Sequence, residues 1–108
     1  MNTSYFEMVY DVCKLVPKGR VTTYGAISDY LALGSARMVG WALNQLKKTN
    51  DVPAHRVVNR LGELSGRMMF PSPTEMQTRL EKEGIKVEND KVVEFKKLFW
   101  HPEELDKL

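Results

Sequence analysis

The chain of 108 residues carries 43% hydrophobic and 28% charged side chains, which indicates one soluble globular domain over residues 1–108 and excludes a disordered protein. No apolar run approaches the roughly 20 residues that span a bilayer, no signal-peptide pattern is present, and a single cysteine excludes an internal disulfide, so we expect a cytoplasmic protein with no membrane partner. The net charge of +2 permits a nucleic-acid partner without requiring one, and two histidines with one cysteine argue against a zinc site.

The N-terminal part of the sequence predicts two helices. Apolar side chains recur at helical spacing over residues 3–16, and Pro17-Lys18-Gly19 ends this amphipathic segment. A short extended piece follows. Thr22 or Thr23 can then cap a second helix over residues 24–32, because a threonine hydroxyl accepts a hydrogen bond from a free backbone N–H of the first turn.

A third helix is predicted from Ser35, a good N-cap, to about Leu46, after a turn at Gly34. Three of its apolar residues lie at i, i+4 and i+7 and must face the core, namely Val39, Leu43 and Leu46. The opposite side carries an unusual set for a merely solvating surface, namely Arg37, Gly40, Trp41 and Asn44. A short helix, a tight turn and a helix with such a face indicate a helix-turn-helix.

The second half of the chain predicts short strands and further turns. Val57-Val58 and Glu63-Leu64 flank the turn residues 59–62, which is typical of a hairpin or wing. Ser72-Pro73 opens a fourth helix, and Gly84 ends it.

The C-terminal residues predict a last small hairpin between Val87 and Val92-Val93. We expect the aromatic tail to pack back on the body through Phe95, Phe99 and Trp100. Together these elements predict an α+β fold, a small winged helix-turn-helix DNA-binding domain.

Three arginines fall in one short stretch with only Glu63 to offset them, namely Arg56, Arg60 and Arg67. Acidic residues gather instead towards the C-terminus. The stretch is therefore either a basic face for nucleic acid or a solvated surface without a partner.

The segment Pro53-Ala54-His55-Arg56-Val57 resembles the Pro-Cys-His-Arg-Val signature of the O6-alkylguanine-DNA alkyltransferases, with alanine in place of cysteine. Other parts of that family are resembled in the same order, by PKGRVTTYGAIS, SARMVGWAL, GELSG and LEKEG. The resemblance covers about residues 5–100 and is closest to the short alkyltransferase-like proteins, which lack the family's extra N-terminal domain.

This resemblance implies a function without catalysis. A monomer without cofactor or metal would recognise O6-alkylguanine in double-stranded DNA by minor-groove binding and nucleotide flipping. It would flag the lesion for excision repair, with excision-repair proteins as further partners.

The family generates a thiolate through a histidine, a water and a glutamate, and His55 and Glu83 occupy these relay positions. Ala54 stands at the nucleophile position and offers only a methyl group, so no covalent transfer can start there. Without a thiol, His55 and Glu83 can equally be structural. Cys13, the other candidate nucleophile, lies on the apolar face of the first predicted helix, where we expect a buried and inert thiol.

The resemblance also implies roles in DNA binding. Arg37 resembles the finger arginine that enters the base stack and fills the gap left by the extruded nucleotide; the alternative is a phosphate contact. Tyr24 resembles the tyrosine that crowds the target phosphate and helps to rotate the base outward, whereas its residue type alone fits a core position equally well. Gly40, lacking a side chain, lets the helix approach the minor-groove backbone closely.

Two further positions stay open. Trp41 is either an exposed contact or a packed brace. The family usually has an asparagine in the turn after the recognition helix, where this chain has Leu46, and Asn44 or Asn50 could substitute for it.

The implied lesion pocket consists of Tyr24, Pro53, Ala54, His55, Arg56, Val57 and Ser65. Since alanine is smaller than cysteine, we expect this pocket to admit adducts larger than methyl unless Met68 or Met69 closes it. Two other functions remain as alternatives. One is an active alkyltransferase with an engineered cysteine-to-alanine change at Ala54, and the other is a winged-helix transcription regulator that shares only the fold.

Overall fold

The structure is a computed structural model that describes residues 5–46 and 51–107. Its α-helices are α1 (Tyr5–Leu15), α2 (Tyr24–Tyr30), α3 (Ala36–Asn44), α4 (Glu75–Lys82) and α5 (Phe95–Leu98). The strands are β1 (Thr22–Thr23), β2 (Val57–Val58), β3 (Val87–Glu88) and β4 (Lys91–Val92). Short 3₁₀ helices cover Ala54–Arg56, Arg67–Met69 and Pro102–Lys107.

The helix-turn-helix formed by α2 and α3 agrees with the sequence prediction. Thr23 caps α2, because its Oγ1 accepts a hydrogen bond from the Ala26 N–H at 3.0 Å. The helix ends two residues before the predicted boundary, and Ala32 adopts a positive φ of 56° in the turn that follows. Ser35 takes the N-cap position of α3, but its side chain makes no capping hydrogen bond.

The three N-terminal helices pack around one apolar cluster. Val39 is fully buried in it, and Leu43 and Leu46 are partly buried against it, as their spacing predicted. The opposite side of α3 faces outward. The face that carries Arg37 is therefore exposed, and α1 packs against the other side of α3.

The predicted hairpin between Val57-Val58 and Glu63-Leu64 is wrong. Strand β2 instead runs parallel to β1, with Val57 opposite Thr22 and Val58 opposite Thr23. A two-residue apolar pattern carries no information on a partner so far away in the chain, and this is why the local reading failed.

The turn at residues 59–62 nevertheless forms. The Asn59 Oδ1 accepts hydrogen bonds from the N–H groups of Leu61 at 3.0 Å and Glu63 at 2.8 Å. The chain then pairs with the next hairpin, since the Val92 N–H donates to the Gly62 carbonyl at 2.9 Å. The wing is thus built against β3 and β4 rather than against β2.

The C-terminal elements differ from the prediction in one boundary. Helix α4 begins at Glu75 after Thr74, later than the predicted Ser72-Pro73. Its end at Gly84 is confirmed, since Gly84 has a φ of 85° and the following Ile85 N–H donates to the Leu80 carbonyl.

The last hairpin is confirmed by the antiparallel pairing of β3 with β4. The docking of the aromatic tail is also confirmed, because Trp100 is only 4% exposed and its N–H donates to the Val21 carbonyl at 2.7 Å. Among the described helices, none combines the length and apolar character that crossing a membrane requires.

Candidate nucleic-acid interface and cavity

A cavity of about 130 Å³ lies beside Ala54, between the end of α3, helix α4 and the segment after Ser65. Its polar lining comes from Tyr24, Asn44 and Arg79. Its apolar lining comes from Leu43, Leu46, Val52, Met69, Phe70, Pro71 and Met76. A cavity that combines apolar walls with a few convergent polar groups is typical of a ligand site.

Ala54 brings only a methyl group to this cavity. The residue opens a 3₁₀ turn in which its N–H donates to the Val52 carbonyl at 2.8 Å. Cys13 is fully buried in the helical core, and burial raises the pKa of its thiol to about 12. A thiol in that state supplies no thiolate at neutral pH, as the sequence predicted, so neither residue offers the cavity a nucleophile.

Behind the Ala54 turn, the structure brings His55, Arg56 and Glu83 together. The His55 Nε2 lies 2.9 Å from the Glu83 Oε2. Arg56 donates to both oxygens of the same carboxylate, from Nη2 at 2.7 Å and from Nε at 3.0 Å, and its Nη1 donates to the Val16 carbonyl. The Glu83 side chain is only 8% exposed, so this is a nearly buried charged cluster.

The charge states of the cluster follow from its contacts. Burial acts to raise the pKa of Glu83, but the hydrogen bonds and charges of Arg56 and His55 prevail and hold it at about 2. Burial lowers the pKa of His55, against the opposing effect of Glu83. An ionised Glu83 and a neutral His55 make Nε2 the donor, which leaves the buried Nδ1 as an acceptor without a hydrogen-bond partner among the described residues.

We expect the free energy of unfolding to fall as the pH is lowered. Both pKa values are depressed in the folded state, so the unfolded chain binds more protons, and stability present near neutral pH is lost on acidification. The loss of stability due to His55 should begin below pH 6.5. The loss due to Glu83 should extend from about pH 4.5 to about pH 2 and amount to on the order of 3 kcal/mol.

Urea unfolding at a series of pH values measures this profile. A Glu83→Gln variant is the control, since it should lack the steepest part of the loss below pH 4.5. A wild-type chain as stable at pH 3 as at pH 7 would contradict the assignment.

Tyr24 is the first residue of α2 and also lines the cavity. Burial raises the pKa of its hydroxyl, and a hydrogen bond with the Ser65 side chain acts in the opposite direction. Its hydroxyl also lies close to Gly66, which is part of the cavity lining. Ser65 itself is exposed and neighbours the cavity rather than lining it.

The outward face of α3 carries the predicted DNA-binding residues. Arg37 and Asn44 are exposed, and Trp41 is 42% exposed, which favours a surface contact over a packed brace. A Cβ atom added at Gly40 would meet no atom of the described residues within 4 Å, so this part of the fold does not itself require glycine there. Asn44 also lines the cavity, whereas Asn50 lies outside the described residues.

Several predicted pocket residues lie elsewhere. Pro53, His55 and Arg56 border a second, open groove together with Lys14 and Asp51. Val57 is fully buried in the core instead of lining the cavity, because its pairing with β1 points it into the helical cluster.

The three arginines of the 56–67 stretch do not form one basic face. Arg56 is bound to Glu83 and the Val16 carbonyl. Arg67 donates to the Leu64 carbonyl and lies 3.7 Å from Asp90. Arg60 alone of the three is exposed.

The sequence analysis missed eight residues that line the cavity, namely Leu43, Leu46, Val52, Gly66, Phe70, Pro71, Met76 and Arg79. Phe70 and Arg79 contact each other, with the guanidinium carbon 5.4 Å from the ring centroid. The sequence did contain a signal for Arg79. It stands four residues before Glu83, so the two side chains are expected on the same side of the helical segment. The loop that carries Phe70 has no periodicity from which its fold could be predicted.

One group of described residues could hold a metal ion, namely Asp29, His101 and Glu103, whose ligand atoms lie within 4.8 Å of one another. The His101 Nδ1 accepts a hydrogen bond from the Glu103 N–H, and its Nε2 lies 3.3 Å from Asp29. These contacts tie the C-terminal segment to α2, and none of the three residues lines the cavity.

Comparisons with known proteins agree with this geometry. Residues 4–85 match the family model described as "6-O-methylguanine DNA methyltransferase, DNA binding domain". The chain is 35% identical to alkyltransferase-like protein 1 of Schizosaccharomyces pombe, over 91% of this chain and 95% of that protein. It is 34% identical to a DNA base-flipping protein of Vibrio parahaemolyticus, over 91% and 97% of the two chains.

A solved structure shows the same fold. The crystal structure of S. pombe Atl1 in complex with damaged DNA containing O6-carboxymethylguanine superposes with a TM-score of 0.83 at 32% identity. The match covers 94% of this chain and all of that one, and it confirms the predicted fold.

Proposed function

The chain belongs to the family described as 6-O-methylguanine DNA methyltransferase, DNA binding domain, and we propose that it recognises O6-alkylguanine in DNA and does not repair it. The observation that carries the proposal is the cavity beside Ala54, which combines apolar walls with the polar side chains of Tyr24, Asn44 and Arg79. A cavity at the family's cysteine position can take up an alkylated base, and a methyl group there cannot accept the alkyl group.

Recognition would proceed by flipping the nucleotide out of the duplex. Flipping costs a few kcal/mol, and less where alkylation has already weakened base pairing. The exposed guanidinium of Arg37 can replace the extruded base in the stack, and Tyr24, the first residue of α2, lines the cavity that would receive that base. The open space over Gly40 supports a close approach of the DNA backbone to α3.

The family relay residues would serve a structural purpose in this chain. His55 and Glu83 are in contact, but Glu83 also neutralises Arg56, which in turn holds the end of α1 through the Val16 carbonyl. This network supports the Ala54 turn whether or not a thiol is present.

The complex with the unrepaired lesion would serve as a signal. A lesion that is held and not repaired can be flagged for excision repair in the cytoplasm by a single-domain monomer. The names of the matched relatives of similar length support this reading over an active alkyltransferase with an altered Ala54. Family membership removes the alternative of a regulator that shares only the fold.

Binding to two otherwise identical duplexes, with and without O6-methylguanine, tests the proposal. We expect at least about tenfold tighter binding to the damaged duplex, which corresponds to roughly 1.4 kcal/mol. With a radiolabelled methyl group, the label should stay on the DNA. Label on the protein, mapping to Cys13 as the sole thiol, would contradict the proposal, as would equal affinity for both duplexes.

A further inference from the structure

Gly66 lies where the cavity lining meets the tyrosine of the helix-turn-helix. A Cβ atom built on Gly66 would stand 2.7 Å from the Tyr24 hydroxyl oxygen, closer than real Cβ contacts allow. Among the residues that the structure describes, no other atom comes so near that Cβ position. Any side chain at residue 66 would therefore have to displace the Tyr24 hydroxyl.

The backbone of Gly66 does not require glycine. Its φ of −92° and ψ of 8° are accessible to L-amino acids, unlike the positive φ values of Gly62 and Gly84. The reason for glycine at this position is space rather than backbone conformation. That space is occupied by the hydroxyl group that we place at the flipped nucleotide.

The residue before Gly66 also acts on this hydroxyl. Ser65 opposes the effect of burial on the pKa of Tyr24, and the chain then continues into the turn that brings Met69 and Phe70 to the cavity wall. The Gly66 carbonyl accepts the Met69 N–H at 3.0 Å, which fixes this turn. One short segment thus lines the cavity and also sets where the tyrosine hydroxyl lies.

We propose that Gly66 is a positioning residue. Because it has no side chain, it leaves room for the Tyr24 hydroxyl beside the cavity wall, and the position of that wall therefore affects how Tyr24 rotates the nucleotide. This inference rests on the proposed function. An adduct that presses on the 66–70 segment would also shift the tyrosine that turns the nucleotide.

A double-mutant cycle tests the proposal with the wild type, Gly66→Ala, Tyr24→Phe and the double variant. Gly66→Ala should weaken binding to the O6-methylguanine duplex roughly three- to tenfold, the range expected for contacting residues. In the Tyr24→Phe background, which lacks the displaced hydroxyl, the same substitution should have little effect. A fluorescent base analogue beside the lesion should report less flipping for Gly66→Ala alone.

Folding serves as the internal control. Because the new methyl group meets only the far end of one side chain, the thermal midpoint of Gly66→Ala should stay within about 3 °C of the wild type. An equal loss in both backgrounds, or no loss in either, would overturn the inference, whereas a wild type that cannot distinguish the two duplexes would overturn the proposed function itself.

Discussion

Replacing Glu83 with glutamine should lower the free energy of unfolding by about 3 kcal/mol, the lower end of the range for removing one partner of a buried ion pair. The change leaves the Arg56 guanidinium, whose side chain is 15% exposed, without its counter-charge. The His55 Nε2 loses the same carboxylate. Chemical denaturation at pH 7 measures the loss.

Glu81→Gln is the matched control on the same helix. Glu81 is exposed, and among the described residues its carboxylate accepts a hydrogen bond only from the Gln77 side chain, so its replacement should change stability by no more than about 0.5 kcal/mol. If Glu83→Gln and Glu81→Gln are equally mild, the cluster does not hold the Ala54 turn in place.

Replacing Arg37 with alanine should weaken lesion binding roughly tenfold to a hundredfold, since stacking of a planar group on bases is worth on the order of 1–3 kcal/mol. Arg37 is exposed on α3, opposite Val39, so its removal opens no cavity. Stability should change by no more than about 0.5 kcal/mol. Affinities for damaged and undamaged duplex at two salt concentrations, together with a fluorescent flipping probe, measure the effect.

The ratio of the affinities for damaged and undamaged duplex shows whether Arg37 enters the base stack or contacts a phosphate. Loss of a phosphate contact weakens both complexes alike and flattens the salt dependence. Arg37→Lys keeps the charge without the planar group and should behave like Arg37→Ala at the lesion. Arg60→Ala removes an exposed arginine outside α3 and should leave the ratio unchanged. If Arg37→Ala lowers both affinities equally while flipping survives, the finger assignment is wrong.

The sequence was most informative where structure is local. Apolar spacing, the Thr23 cap and the Gly84 end depend on residues within one or two turns, and the helices they predict are present with small shifts at the ends. The face of α3 that carries Arg37 followed from the same spacing. The contact of His55 with Glu83 was placed by family resemblance, because nothing in the spacing of two residues so far apart specifies it.

The sequence was least informative where distant segments meet. Val57 was misplaced because its partner strand precedes the whole helix-turn-helix. The role of Arg56 was underestimated, since only the fold shows that its side chain reaches both Glu83 and the end of α1. The cavity wall from Phe70 to Arg79 depends in the same way on how the loop returns to α4.

The parallel pairing of β1 with β2 ties the two halves of the cavity into one cooperative unit. Tyr24 follows β1 directly and Ala54 stands just before β2, so two residue pairs close the loop that contains both α2 and α3. Closing such a loop has an entropic cost that local helix formation does not have. A local opening of the β1–β2 pair would separate Tyr24 from Ala54. The protection of the backbone amides of β1 and β2 against hydrogen exchange therefore reports on how often the cavity is formed.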